Sequence, residues 1–557
     1  MNTNDDVVGP NGSGNGATHA LEEGPDMTRP KKTSSDSAPR TLGTATAARG
    51  LGLSIVRRLL VLLHQNAITY CHWKSNEHVG PAVEGLTDLD ILVDRKQSAD
   101  LERIFAAAGF KRFLAPPLRR YPAIEDYLGF DTDSGRIVHL HLHYELTLGE
   151  PHLKGYRLPW ESTVLGTRLY DPEHGLFVAN PAEELVLLIV RKALKMRWRD
   201  WVRSAASGGS ARLGGDFNRE FQFLRAATDE ASIADCTARL LGGDLVEPLS
   251  RVLAEPASLR TFYSFTTAVR RVLRPHRTFA PLSALLRRWV REAQWLFDAV
   301  NRRYFHVPVP LRRISCRGGR TILLLGSDGA GKSSLSNSLV RWLGNKVDVL
   351  PIYFGSGDGR AAFYRQPLLL AHHFHTRLID ARSGRFSSDG LLESSDINAA
   401  KNRFAGHGYA AARVLYALIV AYERRGKIRK MVRARNRGII VICDRFPQSQ
   451  VEGFNDGPRL AAWRTHRWSV FRWLAAWESV PYRLAAETRP DLVIRLMVAP
   501  QFAKHRRPEM TIEALTRRVA AVQSLTFNAD TIVVDIDANQ QIDVVAQKAK
   551  ELVWDYL

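Results

Sequence analysis

Apolar residues recur along this 557-residue chain with two different periods, and these predict which segments are helices and which are strands. A period of three to four residues predicts a helix over residues 55–63 and mostly helical structure from residue 181 to residue 304. Short alternating or β-branched runs predict strands at residues 68–73, 85–93, 136–146, 321–325, 347–354, 438–444, 490–498 and 531–536. Strands on both sides of a helical stretch indicate an α/β protein with more than one domain.

The same pattern divides the chain into four segments. Residues 1–50 are rich in Gly, Ser, Thr, Asp and Pro and have too little apolar surface for a core, so we expect a disordered tail. Residues 51–180 are expected to form an α+β domain, and residues 181–316 a basic helical connector. Residues 317–557 are expected to form an α/β domain with a parallel sheet, because their strands are continuous β-branched runs.

A glycine-rich loop lies between the strand predicted at residues 321–325 and a helix predicted at residues 335–343. The loop and the start of the helix consist of Gly326, Ser327, Asp328, Gly329, Ala330, Gly331, Lys332, Ser333 and Ser334. They fit the pattern GxxxxGK[ST], in which backbone N–H groups and a helix N-terminus surround phosphate groups. We therefore predict that this loop binds ATP, that Lys332 contacts the β- and γ-phosphates and that Ser333 binds Mg²⁺.

Two charged motifs follow the loop. Asp444 and Arg445 stand at the end of the strand predicted at residues 438–444, and Arg506 and Arg507 follow the next predicted strand. The carboxyl ends of the strands in an open α/β sheet face the ligand crevice. A carboxylate there can hold Mg²⁺ through water, and an arginine can bind the phosphate of an acceptor.

These motifs together resemble the thymidylate kinase family of P-loop nucleoside-monophosphate kinases, over residues 317–557. The resemblance rests on the loop from Asp328 to Ser334, on the Asp-Arg-Phe triplet that begins at Asp444 and on the basic segment 504–507. It implies a P-loop NTPase fold, transfer of the γ-phosphoryl group of Mg-ATP and a place for Asp328 beside the sugar of the acceptor. It also implies that Arg506 or Arg507 stabilises the transferred phosphoryl group.

Asp88 and Asp90 alternate with apolar residues in the strand predicted at residues 85–93. On a strand both carboxylates project from one face, where they can bind Mg²⁺. The segment resembles the nucleotidyltransferase superfamily, in which an Asp-x-Asp strand follows a small-residue turn, although Lys74 stands where that family has glycine. The family usually adds a third carboxylate from a later strand, and the resemblance places His141 at that position.

His139, His141 and His143 lie two residues apart in the strand predicted at residues 136–146. Imidazoles on one face of a strand can bind a metal ion, and a half-exposed polar strand face is the alternative. The segment therefore leaves three options open: nucleotidyl transfer through Asp88 and Asp90, metal binding by the histidines, or the fold without the chemistry.

The predicted connector is strongly basic. Between Arg260 and Arg320 there are fourteen arginines and only two acids, Glu292 and Asp298. Its last helix can place Trp289 and other apolar residues on one side. Such a helix can lie on an anionic membrane surface, bind nucleic acid or pack between domains. No zinc-finger, RNA-recognition or helix-turn-helix signature is found, which argues against nucleic acid.

The whole chain has 78 Lys and Arg residues against 57 Asp and Glu residues, and its net charge of +21 attracts anions without choosing among them. Its four cysteines are widely spaced and form no CxxC pair, which fits the reducing cytosol. No apolar run reaches the roughly 20 residues of a membrane span, and residues 1–50 lack the apolar core of a signal peptide. We expect a cytoplasmic protein, with peripheral contact at the inner face of the membrane as an option.

The sequence thus predicts an ATP-dependent phosphotransferase that moves the γ-phosphoryl group of Mg-ATP to a nucleotide, nucleoside or sugar phosphate. A fused kinase of this kind also resembles proteins of bacterial capsule and exopolysaccharide synthesis, which implies a role in polysaccharide biosynthesis. Two alternatives stay open: a nucleotidyltransferase that acts through Asp88 and Asp90, and an ATP-gated membrane-associated scaffold. The sequence names neither the acceptor nor the oligomeric state, and a homodimer is one option.

Overall fold

The computed structural model describes residues 52–197, 199–200, 202, 215–254, 258–355, 403–451, 457–508 and 510–557. The tail predicted at residues 1–50 lies outside these residues. The described chain is an α/β protein with one mixed sheet, one parallel sheet and a two-stranded hairpin. The α/β class predicted from the sequence is therefore confirmed, while the four segment boundaries stay predictions.

The first ten strands are β1 (Tyr70–His72), β2 (Leu89–Val93), β3 (Phe110–Leu114), β4 (Ile124–Asp131), β5 (Arg136–His143), β6 (Leu146–Leu148), β7 (Tyr156–Leu158), β8 (Leu169–Asp171), β9 (Leu176–Val178) and β10 (Ile314–Ser315). Strands β6 and β7 form the hairpin, and the others form the mixed sheet in the order β10-β3-β4-β5-β2-β1-β9-β8. Strands β2 and β5 are parallel, with Asp90 beside His141. Strand β10 comes from the end of the predicted connector and pairs with β3.

The parallel sheet consists of β11 (Thr321–Gly326), β12 (Val349–Tyr353), β13 (Ile440–Asp444), β14 (Leu492–Met497) and β15 (Ile532–Asp537). Its order is β12-β13-β11-β14-β15, and every neighbouring pair is parallel. Strand β11 is central and buried along its whole length. Leu324 lies opposite Asp444, so the carboxyl ends of β11 and β13 are neighbours. This register places the glycine loop beside Asp444.

The helices of the first half are α1 (Ser54–Gln65), α2 (Val79–Val83), α3 (Ser98–Ala108), α4 (Glu161–Gly166), α5 (Pro181–Lys195), α6 (Gly215–Ala226), α7 (Glu230–Leu241), α8 (Val246–Ala254), α9 (Leu259–Val272) and α10 (Pro281–Tyr304). Those of the second half are α11 (Lys332–Gly344), α12 (Arg403–Asn436), α13 (Ser469–Glu487), α14 (Pro500–Arg506), α15 (Ile512–Gln523) and α16 (Ile542–Tyr556). Helix α11 begins at the glycine loop. It packs on the parallel sheet through Leu335, Leu339 and Leu343, which lie four residues apart on one face.

An aromatic cluster joins the mixed sheet to the parallel-sheet half. The ring of Phe130 in β4 packs edge-on against Trp342 of α11, with 5.1 Å between the ring centroids, and lies 5.9 Å from Trp554 of α16. Phe113 of β3 stacks on Trp554 at 6.4 Å. The Trp342 indole N–H donates to the carbonyl oxygen of Gly135 at 3.0 Å. These residues belong to one apolar core, so the two halves share packing as well as a covalent connection.

Helix α10 contacts the rest of the protein with its polar side. Arg288 pairs with Glu150 at 2.7 Å, and Arg302 pairs with Asp348 at 2.6 Å. The indole of Trp295 lies on this inward side, with its ring centroid 6.0 Å from that of His152.

The opposite side of α10 carries large apolar side chains that are between 55% and 82% exposed. They are Leu282, Leu286, Trp289, Val290, Leu296 and Phe297. None of the helix's residues is buried in the part of the chain that the structure describes. Across that part, no helix combines the length and the apolar composition that spanning a bilayer requires.

Replacing Trp554 with alanine tests how far the two halves depend on their shared aromatic cluster. Trp554 is 5% exposed and contacts Phe113 and Phe130. We expect the free energy of the unfolding transition that exposes this cluster to fall by about 3–5 kcal/mol, because a large cavity is left behind. Urea denaturation followed by circular dichroism measures the change. Trp473→Ala is the matched control, since Trp473 is 64% exposed. Equal losses in the two variants would contradict the packing.

Candidate functional site

The glycine loop turns sharply between β11 and α11. Gly329 and Gly331 have φ values of 81° and 87°, which lie in the left-handed region that favours glycine. A Cβ atom at Gly329 would come within 3.1 Å of the carbonyl oxygen of Ala503 in the middle of α14. The loop therefore needs glycine at this position both for its backbone conformation and for the close approach of α14.

The loop brings Lys332 and Ser333 to the edge of the parallel sheet. The Lys332 ammonium donates to the carbonyl oxygen of Ser327 at 2.7 Å, so it lies over the loop. The Ser333 hydroxyl donates to Asp444 Oδ2 at 2.7 Å. The other oxygen of Asp444, Oδ1, is buried and has no hydrogen-bond partner within the described ranges. A buried carboxylate oxygen without a donor costs free energy unless a ligand contacts it.

Asp328 is held by two arginines. Arg445 donates to Asp328 Oδ1 at 2.7 Å, and Arg518 of α15 donates to Oδ2. Arg445 has a φ of 66°, an unfavourable backbone conformation for a residue with a side chain. Such conformations persist where the surrounding structure imposes them, often at functional sites. The structure thus brings Asp328, Asp444 and Arg445 to one edge of the sheet.

The basic segment after β14 approaches the loop from the other side. Arg506 donates to the carbonyl oxygens of Gly329 at 3.1 Å and Ala538 at 3.3 Å. The side chain of Arg507 lies close to Gly329, with its Cγ atom 3.5 Å from the position of a Cβ there. Both predicted arginines therefore lie beside the glycine loop, with their side chains near its turn.

A second polar cluster lies on the mixed sheet where β2 and β5 are neighbours. Asp88 contacts His139 Nδ1 at 2.8 Å and Lys346 Nζ at 2.8 Å. His139 Nε2 lies 2.7 Å from Asp126, which pairs with Arg313 at 2.7 Å. Burial by itself would raise the pKa of Asp88, but His139 and Lys346 hold that pKa well below its ordinary value. Asp88 is therefore ionised and already paired with protein groups.

Asp90 faces a different set of partners. Its Oδ1 atom lies 2.8 Å from Lys74 Nζ, 2.9 Å from His141 Nδ1 and 3.6 Å from His143 Nε2. Burial by itself would raise the pKa of Asp90, whereas Lys74 and the two histidines hold it well below its ordinary value. The three histidines predicted as one group are thus divided, because His139 lies with Asp88 while His141 and His143 lie with Asp90.

Three basic residues of these clusters were not singled out by any sequence motif: Lys346, Arg313 and Arg518. Lys346 lies just beyond the end of α11, so the parallel-sheet half supplies a cation to Asp88. Arg518 lies 190 residues after its partner Asp328. A charged residue on a helix surface does not specify a partner at such a separation, and only the fold reveals the pair.

No family model matches the chain. The chain is 32% identical over 229 residues to the uncharacterized ATP-binding protein YghS of Escherichia coli (strain K12), and this match covers 41% of the chain and 90% of YghS. It is 28% identical over 240 residues to the uncharacterized ATP-binding protein YghR of the same strain, with 42% of the chain and 86% of YghR covered. The similarity to YghS extends over nearly all of that protein, and the chain therefore belongs to the YghS family.

Proposed function

We propose that residues 317–557 form a P-loop kinase domain that transfers the γ-phosphoryl group of Mg-ATP to a small acceptor. The observation that carries this proposal is the contact between Ser333 and Asp444, at 2.7 Å, beside a glycine loop at the carboxyl edge of a parallel sheet. The names of YghS and YghR describe both as ATP-binding proteins, which supports ATP as the nucleotide.

The donor set at this edge fits Mg²⁺. A serine hydroxyl and a carboxylate are hard oxygen ligands, which Mg²⁺ prefers. The buried Oδ1 atom of Asp444 lacks a donor among the residues described, so it can face an ion or one of its waters. A bound Mg²⁺ would reduce the negative charge of the ATP phosphates. Ser333 and Asp444 would hold it in place.

Lys332 and the loop amides would position the phosphates. The Lys332 ammonium already lies over the loop, where it donates to Ser327 O. Backbone N–H groups at the start of α11 add donors and a favourable helix dipole for an anion. Arg506 and Arg507, beside Gly329, would stabilise charge on the transferred group by electrostatics, because phosphoryl transfer needs positioning more than covalent catalysis.

The acceptor would bind at Asp328, Arg445 and Arg518. Two guanidinium groups converge there on one carboxylate. Arginines suit a phosphate because they donate paired hydrogen bonds to its oxygens, and Asp328 can accept a hydrogen bond from a sugar hydroxyl. This combination favours a nucleotide or sugar phosphate, the acceptor class also expected in polysaccharide biosynthesis.

Removing the phosphate-binding lysine tests the kinase directly. Purified protein with Mg-ATP should release ADP faster when the correct member of a panel of nucleoside monophosphates, nucleosides and sugar phosphates is added. We expect Lys332→Ala and Asp444→Asn each to reduce acceptor-dependent ADP release by at least about 100-fold, because each removes stabilisation of the transferred charge.

Lys548→Ala, which changes an exposed lysine of α16, should leave the rate unchanged. ATP binding without acceptor-dependent ADP from any member of the panel would favour the nucleotide-gated scaffold. Product formation that survives Lys332→Ala but not Asp88→Ala would favour nucleotidyl transfer through Asp88 and Asp90.

Substitution of two neighbouring arginines of α15 tests where the acceptor binds. Arg518 contacts Asp328 and is half-buried, whereas Arg517 is exposed. We expect Arg518→Ala to raise the KM for the acceptor by about 10-fold to 100-fold, the loss of one charged hydrogen-bonding group, with little change in the KM for ATP. Arg517→Ala is the matched control. A larger effect on ATP than on the acceptor would show that Arg518 serves the nucleotide instead.

We also propose that α10 binds an anionic membrane surface. Its apolar side faces outward, and its two acids lie on the inward side, where Glu292 pairs with Arg197 at 2.5 Å and Asp298 is half-buried. Arg287 and Arg303 are exposed near the apolar side. An apolar, basic and acid-free surface complements anionic lipid. A second copy would instead bring two basic faces together without carboxylates to pair them.

Vesicle sedimentation tests this contact. We expect the protein to sediment with vesicles that contain phosphatidylglycerol and not with pure phosphatidylcholine. Trp289→Glu with Phe297→Glu should weaken binding at least about tenfold, because two large apolar side chains leave the lipid. Val470→Glu with Trp473→Glu is the control, since these α13 residues are 62% and 64% exposed. Equal loss in both pairs, or a wild-type dimer that the first pair disrupts, would contradict the proposal.

A further inference from the structure

One group of potential metal ligands in the described structure lies apart from the glycine loop. It consists of Asp90, His141 and His143, whose ligand atoms lie within 4.8 Å of one another. Asp90 stands on β2, and the two histidines stand on the parallel neighbour β5, where His141 is directly beside Asp90. Residues two apart on a strand share a face, so the fold directs His141 and His143 to the same side as Asp90.

The spacing of the three ligand atoms matches that of a metal site. His141 Nδ1 is 2.9 Å from Asp90 Oδ1, His143 Nε2 is 3.6 Å from the same oxygen, and the two nitrogens are 3.3 Å apart. In a tetrahedral zinc site with metal–ligand bonds of about 2.0–2.1 Å, neighbouring ligand atoms lie about 3.3 Å apart. One ion can therefore contact all three atoms with only small side-chain adjustments.

The group offers a mixed set of donors. It supplies one carboxylate oxygen from Asp90 and two imidazole nitrogens from His141 and His143. Imidazole nitrogen is a common ligand of transition-metal ions.

The two ring nitrogens of His143 have few hydrogen-bond partners among the described residues. Its Nδ1 atom is buried without a hydrogen-bond partner in the described part of the chain, and its Nε2 atom faces another imidazole nitrogen at 3.3 Å. The ring packs edge-on against the buried Trp73, with 5.1 Å between centroids, so it cannot readily turn toward water. The ring is thus held with its Nε2 atom toward the carboxylate of Asp90 and the imidazole of His141.

We propose that Asp90, His141 and His143 bind a transition-metal ion of the Zn²⁺ class, in exchange for the ammonium group of Lys74. Lys74 pairs with Asp90 at 2.8 Å and balances its charge when no metal is bound. Its side chain is 16% exposed, so the ammonium can move into solvent when a divalent ion enters. Two imidazoles favour Zn²⁺, Co²⁺ or Ni²⁺ over Mg²⁺, which prefers oxygen ligands.

This ligand set differs from the magnesium pair of Asp88 and Asp90 predicted from the sequence. Asp88 is paired with His139 and Lys346 and has no contact with the histidines of this group. Three protein ligands leave at least one coordination position for water or an anion. His141 is 19% exposed, so that position is reachable from solvent. The site therefore has the ligand number of zinc sites that bind small molecules.

Metal titration of the full-length protein tests the site without reference to any activity. After chelation and dialysis, the wild type should bind one equivalent of Co²⁺ with visible absorption bands of a site that contains nitrogen ligands, and Zn²⁺ should displace it. His141→Ala with His143→Ala should weaken binding at least about 100-fold, because two of three ligands are removed. Circular dichroism of each variant checks that it is folded.

Lys74→Ala provides a test that misfolding cannot imitate. Removing the competing ammonium should tighten Zn²⁺ binding by about tenfold, and Zn²⁺ should raise the melting temperature more in this variant than in the wild type. His174→Ala is the matched control, because His174 forms a similar pair with Asp171 at 2.8 Å elsewhere on the mixed sheet. It should bind metal as the wild type does.

Three results would overturn the proposal. The first is a wild type and Lys74→Ala variant that both fail to bind Co²⁺ or Zn²⁺. The second is equal loss of binding in His174→Ala and the double histidine variant. The third is displacement of Co²⁺ by Mg²⁺ at equal concentration, which would indicate an oxygen-ligand site. Because none of these measurements involves ATP or an acceptor, their outcome is independent of the kinase.

Discussion

The register of the parallel sheet is the constraint on which the candidate kinase site depends. Strand β11 is buried between β13 and β14, and its pairing sets Leu324 opposite Asp444. The glycine loop that follows β11 can therefore present Ser333 to Asp444 without any further adjustment. A shift of one residue in either pairing would turn the side chains of the shifted strand to the other face of the sheet. The apolar cores on both faces resist such a shift, so burial far from the site fixes its geometry.

The two polar clusters of the chain differ in how their charges are balanced. On the mixed sheet, the carboxylates of Asp88, Asp90 and Asp126 each pair with a lysine or arginine of the protein. At the glycine loop, Asp444 pairs with a neutral hydroxyl and keeps one oxygen unpaired within the described ranges, while two arginines share Asp328. Incomplete pairing leaves groups available to a ligand, whereas complete pairing requires a ligand to displace a protein group first.

The sequence patterns predicted local features better than long-range ones. The glycine loop and the Asp444 strand could be located because each is a contiguous pattern tied to one element. The pairing of Arg518 with Asp328 could not, since it depends on where α15 packs. Helix α10 shows the limit of periodicity most clearly. Its apolar residues were expected on one side, but periodicity does not tell which side faces the protein. In the structure, the polar side faces the protein and the apolar side is exposed. The three histidines likewise share a strand face, yet the carboxylates beside them divide the group.

Helix α11 connects the glycine loop to the mixed sheet. Its first turn belongs to the glycine loop, its last turn packs against Phe130 through Trp342, and Lys346 just beyond its end contacts Asp88. Thirteen helical residues form a stiff rod about 20 Å long. The two halves of the chain are thus joined by one stiff helix, which contacts the glycine loop at its first turn and the mixed sheet at its last turn.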